Sequence, residues 1–385
     1  MTDKTNQRLV LIAPTAPPSV CGVSDYSYQT AQALQHFYKS IHFGVERVPD
    51  SMVSSTLGPV PVMRWQEALK VSSTSAESSD ILLNYTPASY AWSCLPIGLI
   101  LALRRFKAAN PDNHIFVFVH EAWNGSGKLR IHQIIRNRLA KWSIGQIGKI
   151  AGGIAAVTTG QKKDLESLLR KHKVHLALVG ANILPIEPGV GLTSAREAGV
   201  WVVFGLAHTR LWALQAYMPL LVEMHARGVL RQIRSIGPTD NNYALQEAAL
   251  AEERFGAGML VQLGVLKPAQ VSEELLKAEA ALVKQDADSL RKSGSFAALA
   301  AHGVSVVCEV PVTLDEPPGG AIFRPSELVV NPEIISNEES NRRRQQLHVW
   351  FWSTRSWEAI GENMLNWMST QATNTYPVVQ STAQV

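Results

Sequence analysis

Four short stretches carry residue types whose spacing could support chemistry. The loop PTAPPSVCGVSD (14–25) follows an apolar run and precedes a helical pattern, so its backbone N–H groups would face a ligand. Gly22 permits close backbone approach there, and Asp25 stands at the helix start. The same residues also read as an ordinary turn in which Ser24 or Asp25 caps the helix. His120-Glu121 closes the run IFVFVH. An imidazole at a strand's carboxyl end can hydrogen-bond a substrate or move a proton near neutral pH, but a structural histidine satisfied by backbone fits equally. Further on, Asp286-Ala-Asp288-Ser289-Leu-Arg291-Lys292-Ser293-Gly294-Ser295 leads into the helical pattern FAALAAHG. Small residues and hydroxyls at a helix N-terminus beside two cations suit a diphosphate. The simpler reading is N-capping by Ser295. Asp286 and Asp288 form a DxD, a three-residue match with no other carboxylate beside it, and no metal site is expected. Last, Phe204-Gly205-Leu-Ala-His208-Thr-Arg210 again sets a glycine and a basic residue after a strand; Arg210 either meets a phosphate or salt-bridges its own helix.

The elements that must hold these residues are α/β in character. Apolar runs at 8–13, 81–84, 115–120 and 154–157 alternate with helical patterns such as 26–37, and the cycle restarts with 200–204 and the helical 211–226. Strand candidates at 234–237, 260–263, 280–283 and 304–308 follow. Such alternation predicts parallel sheets wound with helices. The segment LPIEPGVGLTS (184–194) is the best linker, so two doubly wound units with a ligand cleft between them are expected. The Ser-rich stretch 72–79 reads as a surface loop. Residues 348–368, with four tryptophans, are helix-compatible and must pack on something, whereas 369–385 are polar and aperiodic.

Composition bounds the rest. A chain of 385 residues allows about two domains at ~150 residues each. Hydrophobic residues are 46%, charged residues 18% and mean hydropathy +0.00, which excludes a disordered chain. Net charge is +4, too small to imply a nucleic-acid partner. It divides unevenly: residues 1–185 hold 20 Lys/Arg against 11 Asp/Glu, and residues 186–385 hold 16 against 21. Cys21, Cys94 and Cys308 lie far apart, which argues against a zinc site or disulfide framework and for a reducing cytosol. The opening MTDKTNQ does not read as a signal peptide. The longest apolar run, 90–103, is interrupted by Ser93 and Pro96 and falls short of the ~20 residues a spanning helix needs. Within 128–144, Ile131, Ile134, Ile135, Leu139 and Trp142 share one helical face, and Lys128, Arg130, Arg136, Arg138 and Lys141 crowd the remainder. That helix either lies on anionic lipid or is a surface helix with a solvated basic flank.

Taken together, these motifs resemble the retaining GT-B glycosyltransferases over residues 8–368. GVSDYSYQTAQAL (22–34) resembles that family's Gly-rich first loop, FVHEAW (118–123) the strand end that keeps a His near the sugar, and VVFGLAHTR (202–210) the start of its donor domain. SIGP (235–238), 262–283 and SGSFAALAAHGVSVV (293–307) follow in the family's order. The resemblance implies an acceptor-side domain over 1–190 and a nucleotide-sugar domain over 195–345. It also implies a helix at 346–370 crossing back to the first domain, and a flexible tail at 371–385. The implied activity is transfer from a nucleotide-diphosphate sugar to a glycan, lipid or small-molecule hydroxyl, with retention and without metal or other cofactor, in the cytoplasm or at the inner face of the membrane. His120, Asp25 and Glu121 would be catalytic. Gly22, Gly205, His208, Arg210, Asp286, Ser289, Arg291, Lys292, Ser293, Gly294 and Ser295 would bind the donor. One departure stands out: the family's Glu-x7-Glu pair falls on Leu290 and Ala298. That loss opens an alternative, a catalytically silent GT-B protein that binds a nucleotide sugar or a partner subunit.

Overall fold

The computed structural model describes residues 4–17, 19, 21–47, 56–57, 60–73, 77–123 and 130–374. Lys128, Asn124 and Gly125, the middle of the Ser-rich stretch and the tail beyond 374 lie outside the described residues. The chain divides into two compact units, Met1–Leu178 with Trp357–Val385, and Val179–Ser356.

The first unit is built on eight strands: β1 (Arg8–Ala13), β2 (Ser40–Val45), β3 (Thr56–Leu57), β4 (Val60–Arg64), β5 (Ser79–Tyr85), β6 (His114–Val119), β7 (Gly153–Ala156) and β8 (His175–Leu176). Their order in the sheet is β3-β4-β2-β1-β5-β6-β7-β8, parallel except for the β3–β4 pair. The central strands LVLIA, ILLNY and IFVFV are buried continuously because helices cover both faces of a parallel sheet. The sequence shows β1, β5, β6 and β7 as apolar runs. It does not show β2, where Ser40, His42 and Gly44 interrupt the pattern.

The second unit repeats the plan with β9 (Glu197–Phe204), β10 (Gln232–Ile236), β11 (Leu260–Gly264), β12 (Ala278–Leu282) and β13 (Ser305–Val307). The all-parallel order is β11-β10-β9-β12-β13. In both sheets the chain winds outward from the first strand and then returns to its other side. The switch points are therefore β1/β5 and β9/β12, where open α/β sheets bind ligands at the carboxyl ends.

Two expectations about connections need correction. Residues 184–194 are not a free hinge but part of the second unit. Val190–Thr193 is a short helix, and a Cβ on Gly191 would fall 2.8 Å from the His302 carbonyl carbon. The half-buried Arg196 guanidinium sews this segment down, donating Nη1 to the carbonyls of Leu275 (2.8 Å) and Ala278 (3.2 Å) and Nη2 to that of His302 (2.6 Å). The tail is likewise not one helix over 348–368 but two, Glu338–Thr354 and Trp357–Asn374. Arg355 breaks them. Its buried guanidinium donates to Glu316 Oε1 at 2.6 Å and to the Arg291 carbonyl at 3.2 Å, which fixes the chain in a non-helical turn. The four tryptophans divide accordingly. Trp350 and Trp352 pack on the second core, while Trp367 meets Phe116 edge-on at 5.6 Å and Trp357 meets Tyr26 at 5.5 Å in the first. The helix Trp357–Asn374 thus returns to the first unit, where a Cβ on Gly361 would lie 3.0 Å from Ala33 on the helix Gly22–Leu34.

Candidate functional site

In the first unit, the parallel register pairs Asn84 with Phe118 and Tyr85 with Val119, and the His120 N–H donates to the Tyr85 carbonyl at 3.0 Å. That registry brings the His120 ring to Asn84, with Nε2 2.8 Å from Oδ1. The ring also lies 4.3 Å from Phe118 and edge-on to Tyr26 at 5.2 Å. Burial lowers the His120 pKa to about 3. The imidazole is therefore neutral near pH 7, a hydrogen-bonding group rather than a proton donor. With Nε2–H donated to Asn84 Oδ1, Nδ1 is an acceptor.

Tyr26 belongs to the helix Gly22–Leu34, whose N-cap is Cys21 with no side-chain cap bond, so neither Ser24 nor Asp25 caps it. Asp25 sits one residue before Tyr26 in the first turn, where burial raises its pKa to about 6. A carboxylate poised near neutrality suits a base or a hydroxyl-orienting group. Gly22 begins the helix with open space where its Cβ would be. Glu121 is exposed. Asn84, which sequence reasoning did not single out, is fully buried and orients His120.

In the second unit, β9, β10 and β11 end in Gly205 (φ +141°), Gly237 (φ +136°) and Gly264 (φ +65°). A Cβ at Gly237 would sit 2.1 Å from the Gly205 oxygen, so no side chain fits. Gly205 itself faces Ser295 Oγ and Thr209 Oγ1, which would lie 3.1 and 3.2 Å from its Cβ. The helix Gly294–Ala301 starts beside this edge. Its N-cap is Ser293, not Ser295: Ser293 Oγ accepts from the Phe296 N–H at 3.2 Å. The N–H groups of Gly294 and Ser295 donate no hydrogen bond to the described residues. Phe204, Thr209, Arg210, Leu282–Gln285 and both serines line a recess of about 20 Å³, room for roughly one water. That volume is too small to enclose a diphosphate.

The cations are arranged differently from the sequence expectation. Arg210 is buried and donates inward: Nε to Ser235 Oγ (2.8 Å) and Glu247 Oε1 (3.2 Å), Nη1 to the carbonyls of Gly205 (2.6 Å) and Pro238 (3.2 Å). It ties the two glycine turns together. Arg291 turns to Glu316, with Nη2 3.1 Å from Oε2 and Nη1 3.3 Å from the carbonyl. The exposed cations beside the recess and its helix are Lys292 and Lys284, the latter missed because it follows β12 without any motif around it. His208 meets Trp212 edge-on at 5.0 Å instead of lining the recess. Asp286 caps the short helix Ala287–Arg291, its Oδ1 accepting from the Ser289 N–H at 2.7 Å. Leu290 and Ala298 are buried in the core of the second unit. Among the described residues no cluster of three or more His, Cys, Asp or Glu side chains is placed to hold a metal.

No protein-family model and no curated protein sequence matches the chain. Solved structures match along its length. HepE of Anabaena in complex with UDP has a TM-score of 0.64 at 10% identity, covering 94% of this chain and 100% of that one. Sucrose-phosphate synthase from Thermosynechococcus elongatus has 0.61 at 14%, covering 96% and 100%. A UDP-forming α,α-trehalose-phosphate synthase from Burkholderia vietnamiensis has 0.60 at 9%, covering 96% and 99%. At such identities the likeness is one of fold. With its two parallel sheets, their switch points and the returning C-terminal helix, this chain has the GT-B fold.

Proposed function

We propose that this protein is a glycosyltransferase that moves a hexose from a nucleotide-diphosphate sugar to an acceptor hydroxyl, with retention and without a metal. The observation that carries this reading is the carboxyl edge of the second sheet. Gly205 and Gly237 bare the backbone there, next to a helix N-terminus, two serines and the exposed Lys284 and Lys292. These groups stabilise negative charge as the diphosphate leaves. The bond from the sugar's anomeric carbon to the diphosphate oxygen breaks, and a bond to the acceptor oxygen forms on the same face. The acceptor proton passes to a donor phosphate oxygen, so no protein base is required. In the first unit, His120 and Asp25 orient the sugar and the acceptor hydroxyl. Were the product inverted, Asp25, with a pKa near 6, would be the base ahead of His120, whose pKa near 3 makes it a weak proton acceptor. The nucleotide sugar and a glycan, lipid or small-molecule acceptor are the partners, and the compartment is the cytoplasm. No described helix is long and apolar enough to cross a membrane.

One observation favours a second reading, a silent GT-B protein that binds a nucleotide sugar or a partner subunit. Leu290 and Ala298 put core side chains where the family places carboxylates. Calorimetric titration with UDP, GDP and their glucose and mannose conjugates tests the shared premise. Saturable binding to one nucleotide, weakened by Lys284→Ala with Lys292→Ala, is expected; no binding to any of them would overturn the transferase and the nucleotide-sugar binder alike, leaving only a protein that binds a partner subunit.

A further inference from the structure

The helix Ile131–Gly148 carries an exposed apolar stripe besides its buried side. Its buried side is made of Ala140, Ser143, Ile144, Ile147 and Gly148. Four further large apolar residues point out: Ile131 is 79% exposed, Ile135 53%, Trp142 49% and Ile134 43%, with Leu139 half-buried. At 100° per residue, the four exposed side chains fall within an arc of about 100°. The stripe does not stand alone. Trp92, 79% exposed, lies under the Arg136 guanidinium at 4.9 Å. On the neighbouring helix Ile97–Ala109, Ile97 and Leu101 are exposed, and Arg104 joins the two helices by donating to Gln146 Oε1 at 2.7 Å.

Charge is equally one-sided. Residues 81–111 and 122–163 contain eleven Lys/Arg and no Asp or Glu. Beside Trp142 a groove of about 540 Å³ is rimmed by Lys141, Lys149, Arg170 and Lys171. A protein partner would need an apolar centre ringed by acids and shaped to this face. Apolar side chains projecting through a ring of cations with no acid match a layer whose surface is anionic and whose interior is hydrocarbon. We propose that the first unit docks on an anionic phospholipid bilayer through this face. Ile131, Ile135, Trp142 and Trp92 enter the headgroup boundary, and the groove beside Trp142 receives phosphates. The inference stands independently of the transferase reading.

Co-sedimentation of the full chain with vesicles tests it, using phosphatidylcholine alone and phosphatidylcholine with phosphatidylglycerol. Binding to the anionic vesicles only is expected, falling as salt rises from about 0.1 M to about 1 M and the screening length shrinks from ~10 to ~3 Å. Arg138→Ala with Lys141→Ala should weaken partitioning about thirtyfold. Ile135→Asp with Trp142→Asp should reduce it at least as much, with an unchanged circular dichroism spectrum because both positions are exposed. Val330→Asp, at an 83% exposed apolar position of the second unit, should bind as the parent does. Equal binding to neutral vesicles, binding to neither kind, or undiminished binding by the Asp pair would overturn the proposal. So would a solution dimer that the Asp pair dissolves, since the stripe would then belong to a second copy.

Discussion

Arg210 gives the sharpest test of how the glycine edge is held. Its guanidinium and the Glu247 carboxylate are both buried, 3.2 Å apart, and four hydrogen bonds run from Arg210 to Ser235, Glu247, Gly205 and Pro238. Arg210→Met keeps the volume but removes all four. Glu247 would then hold only Ser235 Oγ (2.8 Å) and Gln262 Nε2 (3.1 Å), two neutral donors to a buried charge. Breaking a buried pair in this way costs about 3–5 kcal/mol. For a unit of this size, at ~2–4 °C per kcal/mol, the transition should fall by about 6–20 °C. Scanning calorimetry of the full chain reads this directly. Adding Glu247→Gln should recover much of the loss, because no uncompensated charge then remains buried. The reasoning would be refuted by a single variant that unfolds within about 1 kcal/mol of the parent yet loses UDP binding tenfold. Such a result would put the guanidinium on the ligand and not between the two turns.

Gly237→Ala should be more damaging than Gly205→Ala. Its Cβ would meet a backbone oxygen at 2.1 Å, whereas Gly205 would press only hydroxyls that can rotate; comparative urea midpoints check the order. Acid should weaken the second unit through His302, just as it weakens the first through His120, whose pKa burial also lowers. Burial lowers the pKa of His302 from 6.5 to about 4, so its contribution is complete above 6.5 and is lost as pH falls toward 4. The loss is on the order of 3 kcal/mol, and His302→Gln should flatten that limb of a stability–pH curve. Asp25→Asn should act in the reverse sense. The raised carboxyl favours the fold below 3.8 and loses that advantage as pH rises through about 6. The variant should therefore be stabilised by at most about 2 kcal/mol at pH 7 after solvent screening, with no gain at pH 4, while any transfer activity falls.

Much of the scaffold was legible because parallel strands buried on both faces must be apolar throughout, as in LVLIA, ILLNY and IFVFV. Strand β2 lacks that continuous run, since Ser40, His42 and Gly44 interrupt it, and only the period-2 alternation of SIHFGV marks it. The order of glycine turns and helix starts in the second unit was also readable, because Gly205 and the 293–295 turn are local signals. What failed was long-range. The partners of Arg291 and Arg355 both lie at Glu316, too distant in sequence for local spacing to reveal. The same contact breaks the tail helix at a residue whose helix propensity is good. Arg196 binding carbonyls from three segments turned a Pro/Gly-rich stretch, a sound linker signal by composition, into part of a core. Lys284 and Asn84 acquire significance only from the sheet's switch point and from strand register.

The transferase reading rests most directly on whether the chain breaks the bond between a sugar and its nucleotide. Incubation with a panel of UDP- and GDP-sugars, with and without candidate acceptors, followed by mass spectrometry of nucleotide and sugar products, measures this. The account predicts release of one nucleoside diphosphate, slow with water and faster with a matching acceptor. Release should fall when Ser293→Ala and Ser295→Ala remove the hydroxyls at the helix start. Tight binding of the same nucleotide sugar, with the donor intact under every acceptor, would contradict it and leave the silent binder.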